Sequence, residues 1–271
     1  MLEHEFFRNA LLAGALASVA CGTMGSIVVS RRLASICGGI AHACFGGVGL
    51  GYLLGFNPSG GALLFAVLSA LGIGAAARRA QGAEDTAIAI FWSVGMSLGI
   101  VFIGLSRGYA PDLLTYLFGN ILAVTRGDLI RLLLLDAGVA AALLLFYKEI
   151  LALCFDEEFL RVRGVPAYPL YLFVLVLAAL SAVVLMKVVG IILVIALLTL
   201  PAAIVSPFVR TLKGMMAAAT LVSLLLIVGG LVLSYRFDLP SGATVVLLSA
   251  GVFLLSRFLA RLFPGKCLRK T

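Results

Sequence analysis

Long apolar runs separated by short polar connections follow one another along almost the whole of this 271-residue chain. Most runs have about 18–22 residues, the length that an α-helix needs to cross a hydrocarbon core of about 30 Å. Charged residues make up 12% of the chain, about half the share of a typical soluble domain. The sequence therefore predicts an all-α, polytopic transmembrane bundle that forms a single transmembrane domain over residues 1–271. About nine spans are expected, with eight as the alternative: 9–30, 35–55, 61–77, 86–105, 128–147, 168–186, 188–206, 214–234 and 242–260.

The distribution of basic residues predicts the orientation in the membrane, because Lys and Arg are enriched in cytoplasmic loops. With the N-terminus outside and the C-terminus in the cytoplasm, most of the 20 basic residues lie on the cytoplasmic side, among them Arg31, Arg78 and Arg210. This orientation requires residues 112–125 to form a short helix at the outer surface, because a further span there would invert all that follows. We expect a multi-pass protein of the cytoplasmic (inner) membrane, surrounded by lipid and with no nucleic-acid partner.

A histidine, His42, lies within the second apolar run among glycine, alanine and larger apolar residues. An imidazole in hydrocarbon costs free energy unless it faces a partner or a water-filled cavity, so it marks a candidate functional site. Its neighbours one helical turn away, Gly38 and Gly46, leave space beside the ring. Two interpretations stay open from the residues alone: a ligand in a translocation pathway, or a histidine that hydrogen-bonds another helix across a tight contact.

Small residues and one proline predict how the helices pack. Gly39, Ala43, Gly47 and Gly51 recur every four residues in the second run, a stripe that lets another helix backbone approach closely. Pro201 lies inside the seventh run, where it removes a backbone donor and is expected to kink the helix. These residues are interpreted as packing and kink positions.

Asp136 is the carboxylate that lies most clearly inside a predicted span. One interpretation is a metal ligand or relay group in a polar pathway, because ionisable residues within membranes are expensive and tend to be functional. The alternative is an aspartate that hydrogen-bonds a neighbouring helix or lies shallow enough to reach the lipid headgroups.

The connection around residues 156–165 carries the signals of a short capped helix on the cytoplasmic side. Asp156 is suited to the N-cap, and Gly164 supplies a left-handed position at the C-terminal end. The helix is too short and charged to span the membrane. It either docks onto a partner through Phe159 and Val162, or rests on lipid headgroups. The candidate partner-binding residues are Asp156, Glu157, Glu158, Phe159, Val162 and Gly164.

Six segments occur in an order that is typical of one family: RRLA at 31–34, IAHA at 40–43, EDTAIAIFWSVGMSLG at 84–99, DLLTYLFGNIL at 112–122, FDEEFLRVRG at 155–164 and VGIILVIALLTLPAA at 189–203. Over nearly its whole length the chain resembles the membrane permease subunit of bacterial ATP-binding-cassette (ABC) importers for divalent metals, the zinc/manganese/iron group. The resemblance implies a fold like that of the vitamin B12 and siderophore importers, without their first helix. It implies a second copy of the permease, two ATPase subunits and an extracytoplasmic metal-binding protein as partners. It also implies that residues 156–164 form the coupling helix inserted into the ATPase, and that His42 lines the metal's route.

The chain departs from the family's Gly-Asp-Ala-x-Ser-His-Ala motif at two positions. His42 falls on the motif's histidine, but Gly38 aligns with its aspartate and Ala41 with its serine. With the motif's aspartate at position i and the histidine at i+4, a carboxylate and an imidazole would form a two-ligand metal site. In this chain only the imidazole remains. Because Mn²⁺ prefers carboxylate oxygen whereas imidazole suits Zn²⁺, zinc is favoured, with manganese or iron as alternatives. Cys37 and Cys44 lie at angular positions that argue against a site shared with His42.

The expected function is that of a permease subunit of an ATP-driven importer, which moves a divalent transition-metal ion from a binding protein across the cytoplasmic membrane. The chain lacks the phosphate-binding sequence GxxxxGK[ST], so it is not expected to be an enzyme, and ATP belongs on a separate ATPase chain. No cofactor is expected beyond the transported ion. The alternative is a secondary transporter driven by an ion gradient, which would call for several intramembrane carboxylates and inverted repeats. An intramembrane metalloenzyme is disfavoured, because one imidazole cannot build a catalytic zinc site with three protein ligands.

Overall fold

The computed structural model describes residues 5–79, 83–106, 119 and 121–262, and almost all of them are helical. Among these residues, eight helices are long and apolar enough to cross a membrane, as expected for a polytopic bundle. The helices are α1 (Glu5–Ser30), α2 (Ala34–Leu54), α3 (Pro58–Arg79), α4 (Ala83–Leu105), α5 (Arg126–Phe155), α6 (Glu157–Val162), α7 (Ala167–Val189), α8 (Ile191–Val205), α9 (Leu212–Phe237) and α10 (Ser241–Leu262), with a 3-10 turn at Ile121–Ala123 before α5.

The seventh predicted span, α8, is shorter than the sequence suggests. Gly190, with a φ of 85°, separates it from α7, and the helix has 15 residues. At 1.5 Å per residue this is about 22 Å, less than the hydrocarbon thickness. The helix continues on both sides of Pro201, and most of its residues are buried. By length and composition α8 therefore falls short of the eight helices that qualify as spans.

Glycines bring α2 into near backbone contact with its neighbours. A Cβ atom added to Gly46 would lie 2.9 Å from the Gly95 carbonyl oxygen, and one added to Gly49 would lie 2.5 Å from that of Gly99. The later residue of α2 meets the later residue of α4, so the two helices run parallel. The helix between them in the chain, α3, runs in the opposite direction. The predicted stripe of small residues faces both neighbours: Gly39 lies against Ile88, Gly47 against Gly61, and Gly51 against Pro58.

The connection between α4 and α5 begins and ends on the same side of the bundle. Because α4 runs parallel to α2, it ends on the side where α3 begins. A cavity on that side is lined by Asn57 before α3, by Asp128 in the first turn of α5 and by Lys187 near the end of α7. The Lys187 ammonium lies 2.9 Å from the Asp128 carboxylate and ties α7 to α5. Of the predicted surface helix at 112–125, residues 112–118 and 120 lie outside the described part of the chain.

Burial differs strongly among the candidate spans. Most of α1, α2 and α7 is buried, whereas α4, α5 and α10 leave most of their surface open. The main apolar core is built largely from α1, α2, α7 and α8. The helix that carries His42 therefore belongs to the interior of the bundle, and its neighbour α4 faces outward.

Candidate functional site

The His42 ring in α2 stacks on the indole of Trp92 from α4. The ring centroids are 4.3 Å apart and the planes differ by 6°. The imidazole is partly exposed, and its Nδ1 atom is buried without a hydrogen-bond partner among the described residues. The ring is thus held by stacking rather than by a hydrogen bond at Nδ1, and it is not sealed among aliphatic side chains.

The close approach of α2 and α4 places the two rings face to face. A Cβ atom added to Gly95 would lie 2.5 Å from the Ala43 Cα atom, so the two backbones meet beside His42. Trp92 precedes Gly95 by three residues, slightly less than one helical turn, and its side chain therefore projects from nearly the same face of α4. The small residues Ala43 and Gly95 allow the contact that brings the indole over the imidazole.

Gly38, one turn before His42, is buried but has room for a Cβ atom. A Cβ atom added to Gly38 would have one neighbour within 4 Å, the Ile195 Cδ1 atom at 3.7 Å, which is ordinary van der Waals contact. The position that carries an aspartate in the family motif is therefore open, and its replacement by glycine is not forced by close packing.

The cysteines of α2 do not join His42 in a ligand set. The Cys44 thiol is buried and donates a hydrogen bond to the Ile40 carbonyl oxygen at 2.9 Å, within its own helix. Cys37 is 2% exposed and belongs to the apolar core. Within the described ranges, no group of three or more His, Cys, Asp or Glu side chains is placed to hold a metal ion. The described part of the chain therefore offers a single imidazole and not a closed metal site.

Asp136 occupies a different part of the bundle. Both of its carboxylate oxygens are buried and have no hydrogen-bond partner in the part of the chain that the structure describes. The side chain lies near Cys21 of α1, and α5 packs chiefly on α1 and α7. Because the His42 ring faces α4, the structure does not bring the two predicted metal residues together.

The short helix α6 has local signals at both ends. The Asp156 carboxylate accepts a hydrogen bond from the Phe159 amide at 3.0 Å, the pattern of an N-cap. Gly164 follows the helix with a φ of 72°, and the Val165 amide donates to the Leu160 carbonyl oxygen at 3.1 Å. These bonds define a helical turn that ends sharply before α7 begins.

One face of α6 points away from the bundle. Leu160 is 2% exposed and anchors the helix in the core, whereas Phe159 is 45% and Val162 87% exposed. Glu157, in the first turn of α6, forms an ion pair with Arg31 at 3.4 Å. The helix is therefore attached to the bundle on one side and presents apolar side chains on the other.

Arg31 connects α6 to the turn between α1 and α2. Its guanidinium pairs with Glu157 and lies 5.8 Å from the centre of the Tyr171 ring of α7. Arg31, Glu157 and Tyr171 all line a cavity of about 1010 Å³ at this end of the bundle. Since α2 begins three residues after Arg31, the side chain links α6 to the start of the helix that carries His42.

Trp92 and Arg31 were not identified as site residues from the sequence. Both lie in segments that resemble the metal-importer family, but a resemblance over a segment does not single out one position. One signal was available for Trp92: it is the chain's single tryptophan. For Arg31, no pattern in the sequence pairs it with Glu157, 126 positions away.

The comparisons with known proteins identify the family. The model of the ABC 3 transport family matches residues 3–260. The chain belongs to the ABC 3 transport family. As a family member it is a membrane permease subunit of an ABC transporter and not itself an enzyme, so both predictions are confirmed.

Curated relatives match over almost the full length. An uncharacterized membrane protein of Synechocystis is 44% identical over 255 residues, covering 94% of this chain and 91% of the relative. The manganese transport system membrane protein MntC of Halalkalibacterium halodurans is 33% identical, covering 95% and 88%. The high-affinity zinc uptake system membrane protein ZnuB of Haemophilus influenzae is 33% identical, covering 94% and 97%.

A solved structure supports the fold of this ABC 3 family member. PsaBC from Streptococcus pneumoniae, determined in complex with a Fab, superposes with a TM-score of 0.84 at 32% identity. The match covers 94% of this chain and 92% of that chain. The predicted all-helical permease architecture is therefore confirmed.

Proposed function

We propose that this chain is the permease subunit of an ATP-driven importer that moves a divalent transition-metal ion, with zinc favoured, into the cytoplasm past His42. The observation that carries this proposal is the state of the His42 ring: an intramembrane imidazole, partly exposed, that no hydrogen bond at Nδ1 ties to another helix among the described residues. An imidazole whose role was only to hold two helices together would be expected to form a hydrogen bond between them. A neutral imidazole nitrogen is also among the commonest metal ligands in proteins.

The preference for zinc rests on the donor atoms at the site. The open position at Gly38 offers no carboxylate, and the buried Cys44 thiol is engaged within its own helix. Imidazole alone suits Zn²⁺ better than Mn²⁺, which prefers oxygen ligands. The relatives named for zinc and for manganese are equally similar to this chain, at 33% identity, so the donor set is the better guide to the metal.

A second copy of the chain completes the proposed route. The described helices of one protomer supply a single imidazole, and α4, against which the ring stacks, leaves most of its surface open. A partner protomer docked on this face would bring a second His42 towards the first across a shared axis. We place two ATPase subunits against the exposed face of α6 and a metal-binding protein at the opposite end, which is the outer side if the N-terminus is outside. The role of Asp136 as a metal ligand stays a prediction. We assign this residue no part in the proposed route, because it lies against α1.

The test is metal uptake by the assembled transporter with His42→Ala. We expect zinc uptake to be abolished while assembly with the ATPase and basal ATP hydrolysis persist. His4→Ala is the matched control, because His4 is the other histidine of the chain and lies before α1. Normal uptake by His42→Ala would overturn the site. Uptake that survives ATP depletion but stops when the ion gradient is collapsed would favour a secondary transporter instead.

A further inference from the structure

Trp92 contacts the proposed metal-binding residue directly. We propose that Trp92 is a positioning residue of the metal route, whose indole sets the plane of the His42 ring so that the ring presents a nitrogen to the passing cation. This inference rests on the proposed role of His42. The rings lie 4.3 Å apart and nearly parallel, and the Trp92 side chain is 44% exposed.

The first step of the argument is the missing hydrogen bond. Histidines that bind metals almost always donate their second ring nitrogen to a carboxylate, a carbonyl oxygen or water, which fixes the ring orientation. The Nδ1 atom of His42 has no such partner among the described residues. The positions one turn away, Gly38 and Gly46, carry no side chain that could hold the ring. Stacking on Trp92 is the contact that we infer orients the ring.

The second step is the rigidity of the support. The α2 and α4 backbones meet at Ala43 and Gly95 beside the ring pair, and again at Gly49 and Gly99 one to two turns further on. Contacts between backbones leave little freedom for one helix to slide along the other. The indole is therefore held at a fixed height over the imidazole, which a side chain on a mobile loop would not provide.

The third step is the charge that develops when a metal binds. A metal-bound imidazole carries part of the cation's positive charge, and the face of an indole attracts a cation. Tryptophan provides this attraction best, phenylalanine provides it more weakly, and leucine fills space without it. A ranking of variants at position 92 by aromatic character therefore separates positioning by a π face from simple filling of volume.

The transport experiment uses the full transporter with Trp92→Leu and Trp92→Phe. We expect Trp92→Leu to raise the KM for zinc by about 10-fold, the lower end of what losing an orienting partner costs at a metal site. Maximal rate and basal ATP hydrolysis should change little, and Trp92→Phe should restore most of the affinity. Phe102→Leu is the matched control, because it removes an aromatic ring from the same helix away from His42.

The spectroscopic experiment uses the chain's single tryptophan as a reporter. Co²⁺ bound at His42 should quench Trp92 fluorescence in a saturable manner, and His42→Ala should abolish this quenching. The Trp92→Phe complex supplies the blank for tryptophans in the partner subunits. This measurement tests whether the metal binds beside Trp92. If Trp92→Leu does not assemble, Trp92→Met takes its place in the transport experiment, because it fills volume without a π face.

The outcomes separate this inference from the proposed function. If His42→Ala abolishes uptake while Trp92→Leu transports with an unchanged KM, the positioning role is wrong and the metal route stands. Saturable Co²⁺ quenching of equal size in the natural chain and in His42→Ala would show that the metal does not bind at His42, which overturns the proposed role of His42 and this inference with it. If His42→Ala transports zinc normally, the proposed function itself fails.

Discussion

Replacing Gly38 by aspartate would restore the carboxylate of the family motif beside His42. Among the described residues the added Cβ atom meets Ile195 Cδ1 at 3.7 Å, an ordinary van der Waals contact, so the first atom of the side chain causes no clash. Residues at i and i+4 lie on one face of a helix, so the carboxylate and the imidazole would point into the same space. We expect Gly38→Asp to convert a single-ligand position into a two-ligand station for a divalent cation.

The size of the effect follows from two opposing terms. A carboxylate about 4 Å from a dication is attracted by about 8 kcal/mol at an effective dielectric constant of 20, twice the value for two unit charges. Withdrawing the carboxylate from water costs several kcal/mol. A net gain of about 1.4–2.8 kcal/mol remains, which corresponds to about 10- to 100-fold in affinity. The gain should be larger for Mn²⁺ than for Zn²⁺, because Mn²⁺ prefers oxygen ligands.

The assay is uptake of labelled manganese and zinc by cells that depend on this transporter, with KM measured for each metal. Gly38→Asp should lower the KM for manganese relative to that for zinc. Gly38→Asn is the matched control, because it has the same shape without the charge. If the two variants give the same ratio of KM values, the cation does not pass within reach of position 38. The reasoning from the open space beside His42 is then refuted.

Two further predictions concern the α6 end of the bundle. Phe159→Asp should weaken association with the ATPase without removing the protein from the membrane, because it puts a charge on the exposed apolar face of α6. Co-purification of the ATPase measures this. The control is Phe237→Asp, which changes an exposed phenylalanine at the opposite end of the bundle. Arg31→Glu should lower the amount of metal taken up per ATP hydrolysed. Adding Glu157→Arg to the same chain should restore part of this ratio, because the two charges are then exchanged. An equal defect in the single and the double variant would contradict a role for the ion pair.

Much of the bundle could be predicted because its signals are local. Apolar length marks the spans, and the stripe containing Gly39 and Gly47 indicates a helix that packs backbone to backbone. The end of α7 was harder to place, because Gly190 interrupts an otherwise continuous apolar run and leaves α8 with 15 residues. A periodic pattern does not reveal whether a glycine in such a run adopts a positive φ.

The candidate site could be predicted only in part, for a different physical reason. His42 is recognisable alone, because an imidazole among apolar residues is expensive. Its stack on Trp92 depends on the distance between α2 and α4 and on their register. Glycines on both helices determine that distance and register. The separation of Asp136 from His42 likewise depends on which helices are neighbours. Contacts of this kind are properties of the assembled bundle and have no signal in either segment.

The geometry also indicates where motion can enter the proposed route. Near backbone contact holds α2 to α4 and α3, so His42 and Trp92 should move together with these helices. Arg31 joins the turn before α2 to Glu157 of α6, whose exposed face is proposed to meet the ATPase. Displacement of α6 would then act on the start of α2 through Arg31. On this reasoning Arg31→Glu leaves the ATPase bound but uncoupled from uptake, whereas Phe159→Asp loses both, and the two variants separate transmission from docking.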